Sequence, residues 1–99
     1  MEIAYHFHNL EVSEAMKDYA SKKIEKLSAN FRSFLSAMVR FRVEKIRHQV
    51  EFTLNGDGVQ FIATEEADSM YEAIDLAEKK LEKQLKKHKD KQQGKHHRV

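Results

Sequence analysis

The residues with the clearest chemistry are lysines gathered near the end of the chain. Seven fall within 13 positions: Lys79, Lys80, Lys83, Lys86, Lys87, Lys89 and Lys91. Four of them form a regular row: Lys80, Lys83, Lys87 and Lys91. Neighbours in this row are three or four residues apart, which places them on one side of a helix about 5–6 Å apart along its axis. Successive phosphates lie at a similar spacing, roughly 6–7 Å, so the row predicts a surface for a polyanion.

The net charge of +2 conceals an uneven distribution of charge along the chain. Residues 1–78 hold 9 Lys and Arg against 14 Asp and Glu, whereas residues 79–99 hold 9 against 2. A cationic end of this kind points to RNA, DNA or an anionic membrane as the partner. A second basic group, Lys22, Lys23 and Lys26, would extend the row into one cationic face if the two segments lie side by side. The alternative is that the lysines near the end of the chain only keep the exposed side of a helix hydrated and bind no partner.

Other kinds of chemistry have less support. His6 and His8 have a spacing that can chelate a metal, but the sequence places no third ligand beside them, and we expect no metal or other cofactor. Cysteine is absent, which excludes disulfides, thiolate zinc sites and cysteine nucleophiles. We find no phosphate-binding loop or nucleophile-elbow motif. Because these motifs are missing, we expect that the protein is not an enzyme. No apolar run approaches the roughly 18 residues of a membrane span, so we expect a cytoplasmic protein.

The elements that position these residues follow from the apolar pattern. Alternation of apolar and polar residues predicts four strands, at residues 2–8, 37–43, 50–54 and 59–63. Ser13 is a predicted N-cap for a helix that continues to Phe31, and Ser69 begins a second helix that ends at His88. The acidic residues from Glu65 to Glu78 are expected at the start of this second helix, where carboxylates are stabilising. A turn that includes His48 is expected before the third strand.

This order, β-α-β-β-β-α, predicts an α+β fold with a four-stranded sheet. Strands two to four should form an antiparallel meander, with a hairpin turn at residues 55–58. Each helix has one apolar stripe, so both must cover the same sheet face. Arg40 and Arg42 would then lie on the opposite face, where we expect them to keep an open sheet surface solvated. The domain should span residues 1–91, followed by a basic, disordered tail at 92–99.

One segment resembles a known signature. Residues 69–75, Ser-Met-Tyr-Glu-Ala-Ile-Asp, are similar to the Asp/Ser-Met-Tyr-x-Ala-Ile-Asp signature of the ribosome hibernation promoting factor family, also called the ribosome-associated inhibitor family. Residues 11–15, 43–45 and 80–91 also resemble that family, in the right order along nearly the whole chain. The resemblance implies a fold similar to a double-stranded RNA-binding domain.

The resemblance also implies a function. Members bind the small ribosomal subunit in its decoding channel, where mRNA and tRNA would lie, and so block translation and preserve idle 70S ribosomes. The basic surface over both helices would meet 16S rRNA and nearby ribosomal proteins. By position it corresponds to Lys23, Lys26, Lys80, Lys83, Lys87, Lys89 and Lys91, with Lys22, Lys79 and Lys86 beside them. The chain resembles the short form, which lacks a second domain and needs a separate factor for ribosome dimerisation.

Three other hypotheses remain open. The first is that the chain is a generic double-stranded RNA-binding domain. The second is a metal-dependent nuclease that uses His6 and His8, and the third is a self-associating protein that uses its open sheet face. The first is disfavoured because such domains place basic residues at the start of the final helix, which is acidic here. We expect a protein that is monomeric when free and that binds neither DNA nor membranes.

Overall fold

The computed structural model describes residues 1–29, 34–56 and 58–97, and the side chains of residues 1–29, 36–56 and 58–88. Within these residues the elements follow the predicted order β-α-β-β-β-α. They are β1 (Glu2–His8), α1 (Glu14–Ser28), β2 (Phe34–Glu44), β3 (Arg47–Gly56), β4 (Val59–Ala67) and α2 (Met70–His97). The α+β fold class is therefore confirmed, whereas the similarity to double-stranded RNA-binding domains stays a prediction.

The strands form a mixed sheet in the order β1-β2-β3-β4. β1 pairs parallel with β2, and α1 supplies the crossover that a parallel pair requires. β2, β3 and β4 form the predicted antiparallel meander. Gly58 follows the end of β3 and has a φ of 70°, a conformation that favours glycine, so the predicted hairpin turn lies where the Asn-Gly-Asp-Gly segment indicated.

Both helices cover one face of this sheet, as predicted. Ala20, Ile24 and Leu27 of α1 are buried in the same core as the stripe of α2. The stripe of α2 contains Met70, Ala73, Ile74, Ala77, Leu81 and Leu85, all buried. The sheet contributes alternate residues of β2, β3 and β4: Ala37, Val39, Phe41, Val50, Phe52, Leu54, Phe61 and Ala63. The opposite sheet face has no helix over it within the described residues.

Both helices begin at the predicted serine caps. The Ser13 hydroxyl accepts a hydrogen bond from the Met16 N–H at 3.2 Å, and the Ser69 hydroxyl accepts one from the Glu72 N–H at 3.2 Å. Each bond satisfies an amide at a helix start, where no intrahelical acceptor is available.

The helix ends differ from the prediction. α1 ends at Ser28, and Phe31, which was predicted inside it, lies outside the described residues. α2 passes the predicted end at His88 and continues to His97. Its last turns contain Lys and Gln, which are good helix formers, and no proline, so the largest cost of the extension comes from Gly94, at about 1 kcal/mol. The proposed division between a domain at 1–91 and a tail at 92–99 stays a prediction.

Two further expectations were wrong. Glu65 and Glu66 lie in β4 and not at the start of α2, because the alternating strand pattern continues to Ala67. His48 lies in β3 and not in a turn, since β2 and β3 pair from Glu44 and Arg47 onward. The intervening turn contains Lys45, whose φ of 56° is unusual for a residue with a side chain.

Candidate nucleic-acid interface

The buried stripe of α2 determines where its lysines point. Because Ile74, Ala77 and Leu81 face the sheet, residues half a turn away face solvent. Five lysines there are exposed, and together we call them the lysine surface: Lys79, Lys80, Lys83, Lys86 and Lys87. Positions 79, 83 and 86 follow the outward side of the helix at i, i+4 and i+7 spacing. The structure therefore brings these five predicted site residues together.

One flank of α2 lies along the edge strand β4. The Gln84 side-chain amide donates a hydrogen bond to the Ile62 carbonyl at 2.8 Å. The Lys80 ammonium lies 3.4 Å from the Thr64 carbonyl and 3.4 Å from the Glu65 carboxylate. These contacts satisfy carbonyls on the edge of the sheet and fix the position of the helix above it. They also neutralise part of the Lys80 charge.

The other four members of the lysine surface have no carboxylate within 4.0 Å among the described residues; they are Lys79, Lys83, Lys86 and Lys87. Asp75, four residues before Lys79, does not pair with it, because Asp75 contacts Lys23 and Tyr19 of α1 instead. Four exposed ammonium groups on a single helix, with no counterion among the side chains described, produce a positive potential that attracts phosphates. A shallow depression of about 480 Å³ is lined by Lys80, Lys83, Gln84, Lys86 and Lys87.

Lys23 has a different environment from the lysines of α2. Its ammonium lies 3.4 Å from the Asp75 carboxylate and 3.5 Å from the Glu78 carboxylate, and its side chain is only 25% exposed. It also lies 5.0 Å from the centre of the Tyr19 ring. Lys23 therefore joins α1 to α2, and two carboxylates already balance its charge.

The same cluster shifts two pKa values. Burial lowers the pKa of Lys23, but the neighbouring carboxylates of Glu78 and Asp75 raise it by more, so that it lies above its usual value. The Tyr19 hydroxyl donates a hydrogen bond of 2.6 Å to Asp75. This bond, together with burial, raises the pKa of Tyr19. Both groups are thus held in their protonated forms at the helix–helix contact.

The remaining lysines of α1 are on the surface. Lys22 pairs with Asp18 at 3.6 Å, with both side chains about 70% exposed to solvent. Lys26 is exposed and has no ion pair among the described residues. The side chains of Lys89 and Lys91, two further predicted site residues, lie outside the described residues, although their backbone belongs to α2.

The structure places two lysines of the predicted cationic face on different flanks of α2, and the union of both basic groups into one face stays a prediction. α1 contacts the flank of α2 that carries Tyr71, Asp75 and Glu78. Lys80 lies on the opposite flank, beside β4. Lys23 and Lys80 therefore lie on opposite flanks of α2, each beside carboxylates.

The partners of Lys23 were missed by sequence reasoning, although one signal was present. Glu78 lies on the apolar stripe itself, four residues after Ile74 and three before Leu81. A carboxylate on a buried stripe needs a cation or donor beside it, because an unpaired buried charge is costly. That requirement could have predicted a basic partner on α1, but it could not have identified which lysine.

The described residues contain no group of three or more His, Asp or Glu side chains that could hold a metal ion. His6 and His8 do lie side by side on the open sheet face, as their spacing predicted. Across the same part of the chain, no helix is long and apolar enough to cross a membrane.

Comparison with known proteins gives consistent matches. A family model described as sigma 54 modulation protein / S30EA ribosomal protein matches residues 3–93. A ribosome hibernation promoting factor from Azotobacter vinelandii is 40% identical over 92 residues, which cover 93% of this chain and 86% of that protein. One from Escherichia coli K12 is 38% identical over 84 residues, or 85% of this chain and 88% of that protein.

Solved structures agree with these sequence matches. A ribosomal subunit interface protein from Coxiella burnetii superposes with a TM-score of 0.84 at 27% identity, covering 91% of this chain and 99% of that one. The N-terminal domain of Protein Y from Thermus thermophilus gives a TM-score of 0.81 at 30% identity, with 89% and 99% covered.

Proposed function

The chain belongs to the sigma 54 modulation protein / S30EA ribosomal protein family, and on this premise we propose that it binds ribosomes and silences translation. Relatives at 37–40% identity are named ribosome hibernation promoting factors. The observation that carries the proposal is the lysine surface, in which four of five exposed lysines have no carboxylate partner in the described part of the chain.

The lysine surface acts on phosphates. Each ammonium that meets a phosphate oxygen releases condensed counterions, and this release supplies most of the affinity. Base sequence contributes little, because A-form RNA is recognised by its shape and backbone. Selectivity for the ribosome then comes from the fit of a rigid α2, fixed against β4 by Gln84 and Lys80, to a folded RNA surface. The proposed activity needs no catalytic group and no cofactor.

The proposed binding site is the decoding channel of the small subunit. There the lysine surface contacts 16S rRNA, beside ribosomal proteins, and the bound protein excludes mRNA and the anticodon arms of tRNA. Lys22, Lys23 and Lys26 were also expected in this contact. Since Lys23 is neutralised by Asp75 and Glu78, Lys26 is the α1 residue best placed to contribute. The protein acts in the cytoplasm as a monomer, on 70S ribosomes as well as free small subunits.

The acidic start of α2 argues against a generic binder of duplex RNA. Glu72 is exposed in the first turn, and Asp75 follows one turn later. A duplex phosphate backbone placed against that end would meet carboxylates, which repel it. Only the second half of the helix therefore suits a phosphate backbone.

Sedimentation of ribosomes through a sucrose gradient tests this proposal. We expect the protein to co-sediment with 30S subunits and 70S ribosomes, whereas the Lys83→Glu/Lys87→Glu variant remains at the top of the gradient and no longer inhibits translation. Both side chains are exposed, so this variant should fold normally. A separate peak of paired ribosomes would show whether the protein promotes dimerisation, with or without a second factor.

The matched control is Lys17→Glu/Lys45→Glu, which changes the net charge equally. Lys17 lies beside Glu14 and above the Tyr5 ring, and Lys45 lies in the β2–β3 turn, so neither belongs to the lysine surface. The control should bind ribosomes nearly as well as the unaltered protein. Normal inhibition by the Lys83→Glu/Lys87→Glu variant would contradict the proposal. Equal affinity for naked duplex RNA and for 30S subunits would favour the generic duplex binder.

A further inference from the structure

The sheet face opposite the helices carries a second set of cationic and planar side chains. Strand pairing places His6 beside Arg40 and His8 beside Arg42. All four side chains are exposed, and their alternation along β1 and β2 directs them away from the core. They therefore form two adjacent pairs on the β1–β2 half of the face, which we call the arginine–histidine surface.

The carboxylates on the other half of this face already have partners. Glu51 accepts a hydrogen bond from the Thr64 hydroxyl at 3.3 Å. Glu66 lies 3.4 Å from Arg47, which also pairs with Asp68 at 2.8 Å. Of the carboxylates on this face in the described part of the chain, only Glu44 lies within 4.0 Å of an arginine of the arginine–histidine surface.

The two arginines of the arginine–histidine surface make few contacts with the other described side chains. Arg40 has no ion pair or hydrogen bond among the described side chains. Arg42 makes one long contact, 3.6 Å to Glu44. Both guanidinium groups therefore keep donors available for an anion.

The shape of this surface suits an extended strand. A shallow groove of about 320 Å³ is lined by these four residues and by Gln49, Glu51 and Thr64. The two pairs are two residues apart along their strands, or about 6.6 Å at the usual rise. Arginine and histidine side chains offer flat faces on which unstacked bases can lie, as well as donors for phosphates. The adjacent row on this face contains Ala4 and Met38, which provide apolar contact.

We propose that the arginine–histidine surface binds single-stranded RNA, as a second nucleic-acid site on the side of the molecule opposite the lysine surface. His6 and His8 stack on bases, while Arg40 and Arg42 contact phosphates and bases. A flat sheet suits single strands, whose bases are free to stack, better than a duplex, whose bases are paired and enclosed. The protein then lies between two RNA segments when it is bound to a ribosome.

The test uses a fluorescently labelled single-stranded RNA of about ten nucleotides, measured by anisotropy at about 50 mM salt. All variants are made in the Lys83→Glu/Lys87→Glu background, in which the lysine surface is inactive. This background should still bind the single strand. Adding Arg40→Gln/Arg42→Gln should weaken binding about tenfold and reduce the slope of log K against log salt by about 1.4, corresponding to two lost phosphate contacts.

Two further variants make the test specific. Lys45→Gln/Arg47→Gln removes the same charge from the β2–β3 turn and the start of β3, and it should weaken binding less than about threefold, since Arg47 is already paired. Arg40→Lys/Arg42→Lys retains the charge but loses the planar faces, so the salt slope should persist while affinity falls about threefold. Thermal melts should show that every variant remains folded.

Three results would overturn this inference. The first is that the Lys83→Glu/Lys87→Glu background does not bind the single strand. The second is that Arg40→Gln/Arg42→Gln leaves binding unchanged. The third is that Arg40→Gln/Arg42→Gln and Lys45→Gln/Arg47→Gln weaken binding equally. Because the probe is a short synthetic RNA, these results are independent of ribosome binding. Loss of ribosome binding alone would bear only on the function proposed for the lysine surface.

Discussion

Lys22 and Lys23 are neighbours in the chain but have opposite surroundings. The Lys22 side chain is 72% exposed and pairs with an equally exposed Asp18 within the same helix. The Lys23 side chain is three-quarters buried between Asp75 and Glu78 of the other helix. One Glu78 oxygen, Oε2, is buried without a hydrogen-bond partner in the described part of the chain, so this carboxylate depends on Lys23 for compensation.

Replacing these two lysines should therefore have different consequences. Lys23→Met should reduce the free energy of unfolding by about 2 kcal/mol, because it leaves Glu78 buried without a cation. Lys22→Met removes only an exposed i,i+4 pair and should change stability by less than about 0.5 kcal/mol. Urea unfolding followed by circular dichroism measures both. Equal effects of the two substitutions would show that the Lys23 cluster does not hold the helices together.

The same cluster should make stability depend on alkaline pH. The pKa values of Lys23 and Tyr19 are raised in the folded protein, so both groups bind their protons more tightly in the folded than in the unfolded protein. Their stabilising contribution is therefore complete below about pH 10 and is lost as the pH rises beyond it. We expect the free energy of unfolding to decrease above this pH, and to decrease less in a Tyr19→Phe/Lys23→Met variant. An identical pH profile for that variant would exclude these groups as the cause.

At the scale of a single element, the lysine surface depends on how α2 packs against the sheet. Leu81 is fully buried against the sheet, whereas Leu76, in the same helix, is 38% exposed. The lysines face outward only because the opposite side of the helix is anchored in this way.

A pair of leucine substitutions tests that anchoring. Leu81→Ala should reduce the free energy of unfolding by about 2–5 kcal/mol, since it leaves a cavity in the core. Leu76→Ala removes the same atoms from a partly solvated site and should cost less than about 1 kcal/mol. Chemical denaturation of the two variants side by side provides the measurement. A similar cost for both would mean that α2 is not seated on the sheet as described.

At the scale of the whole molecule, the two faces are chemically different. The helix-covered side presents ammonium groups, most of them from α2, and the open sheet presents arginine and histidine from two strands. The core separates these two surfaces, so a contact made by one leaves the other accessible.

Ribosome binding should depend steeply on salt. About six phosphate contacts predict a slope near −4 to −5 in a plot of log K against log salt, and Lys83→Gln/Lys87→Gln should make it shallower by about 1.4–1.8. Affinity for 30S subunits, measured at several salt concentrations, gives this slope. A flat titration would remove phosphate contacts as the source of affinity.

Much of the fold follows from local patterns. Alternation, serine caps and an Asn-Gly turn depend on neighbours in the chain, and they correctly predicted six elements, the core stripe of α2 and the meander. The similarity at residues 69–75 also identified the family, as the match over residues 3–93 confirms. The exposure of Lys83 and Lys87 was predicted from helical period alone and is confirmed.

Contacts between distant segments were decided only in three dimensions. Sequence spacing could not show that α1 packs on the flank of α2 that carries Asp75 and Glu78, which places Lys23 in an ion-pair cluster on the side away from Lys80. Nor could it show that parallel pairing sets His6 and His8 beside Arg40 and Arg42. The physical reason is that residue type and period determine which side of an element is buried. Which charges meet across two elements depends on their relative direction and register, which only the packed core determines.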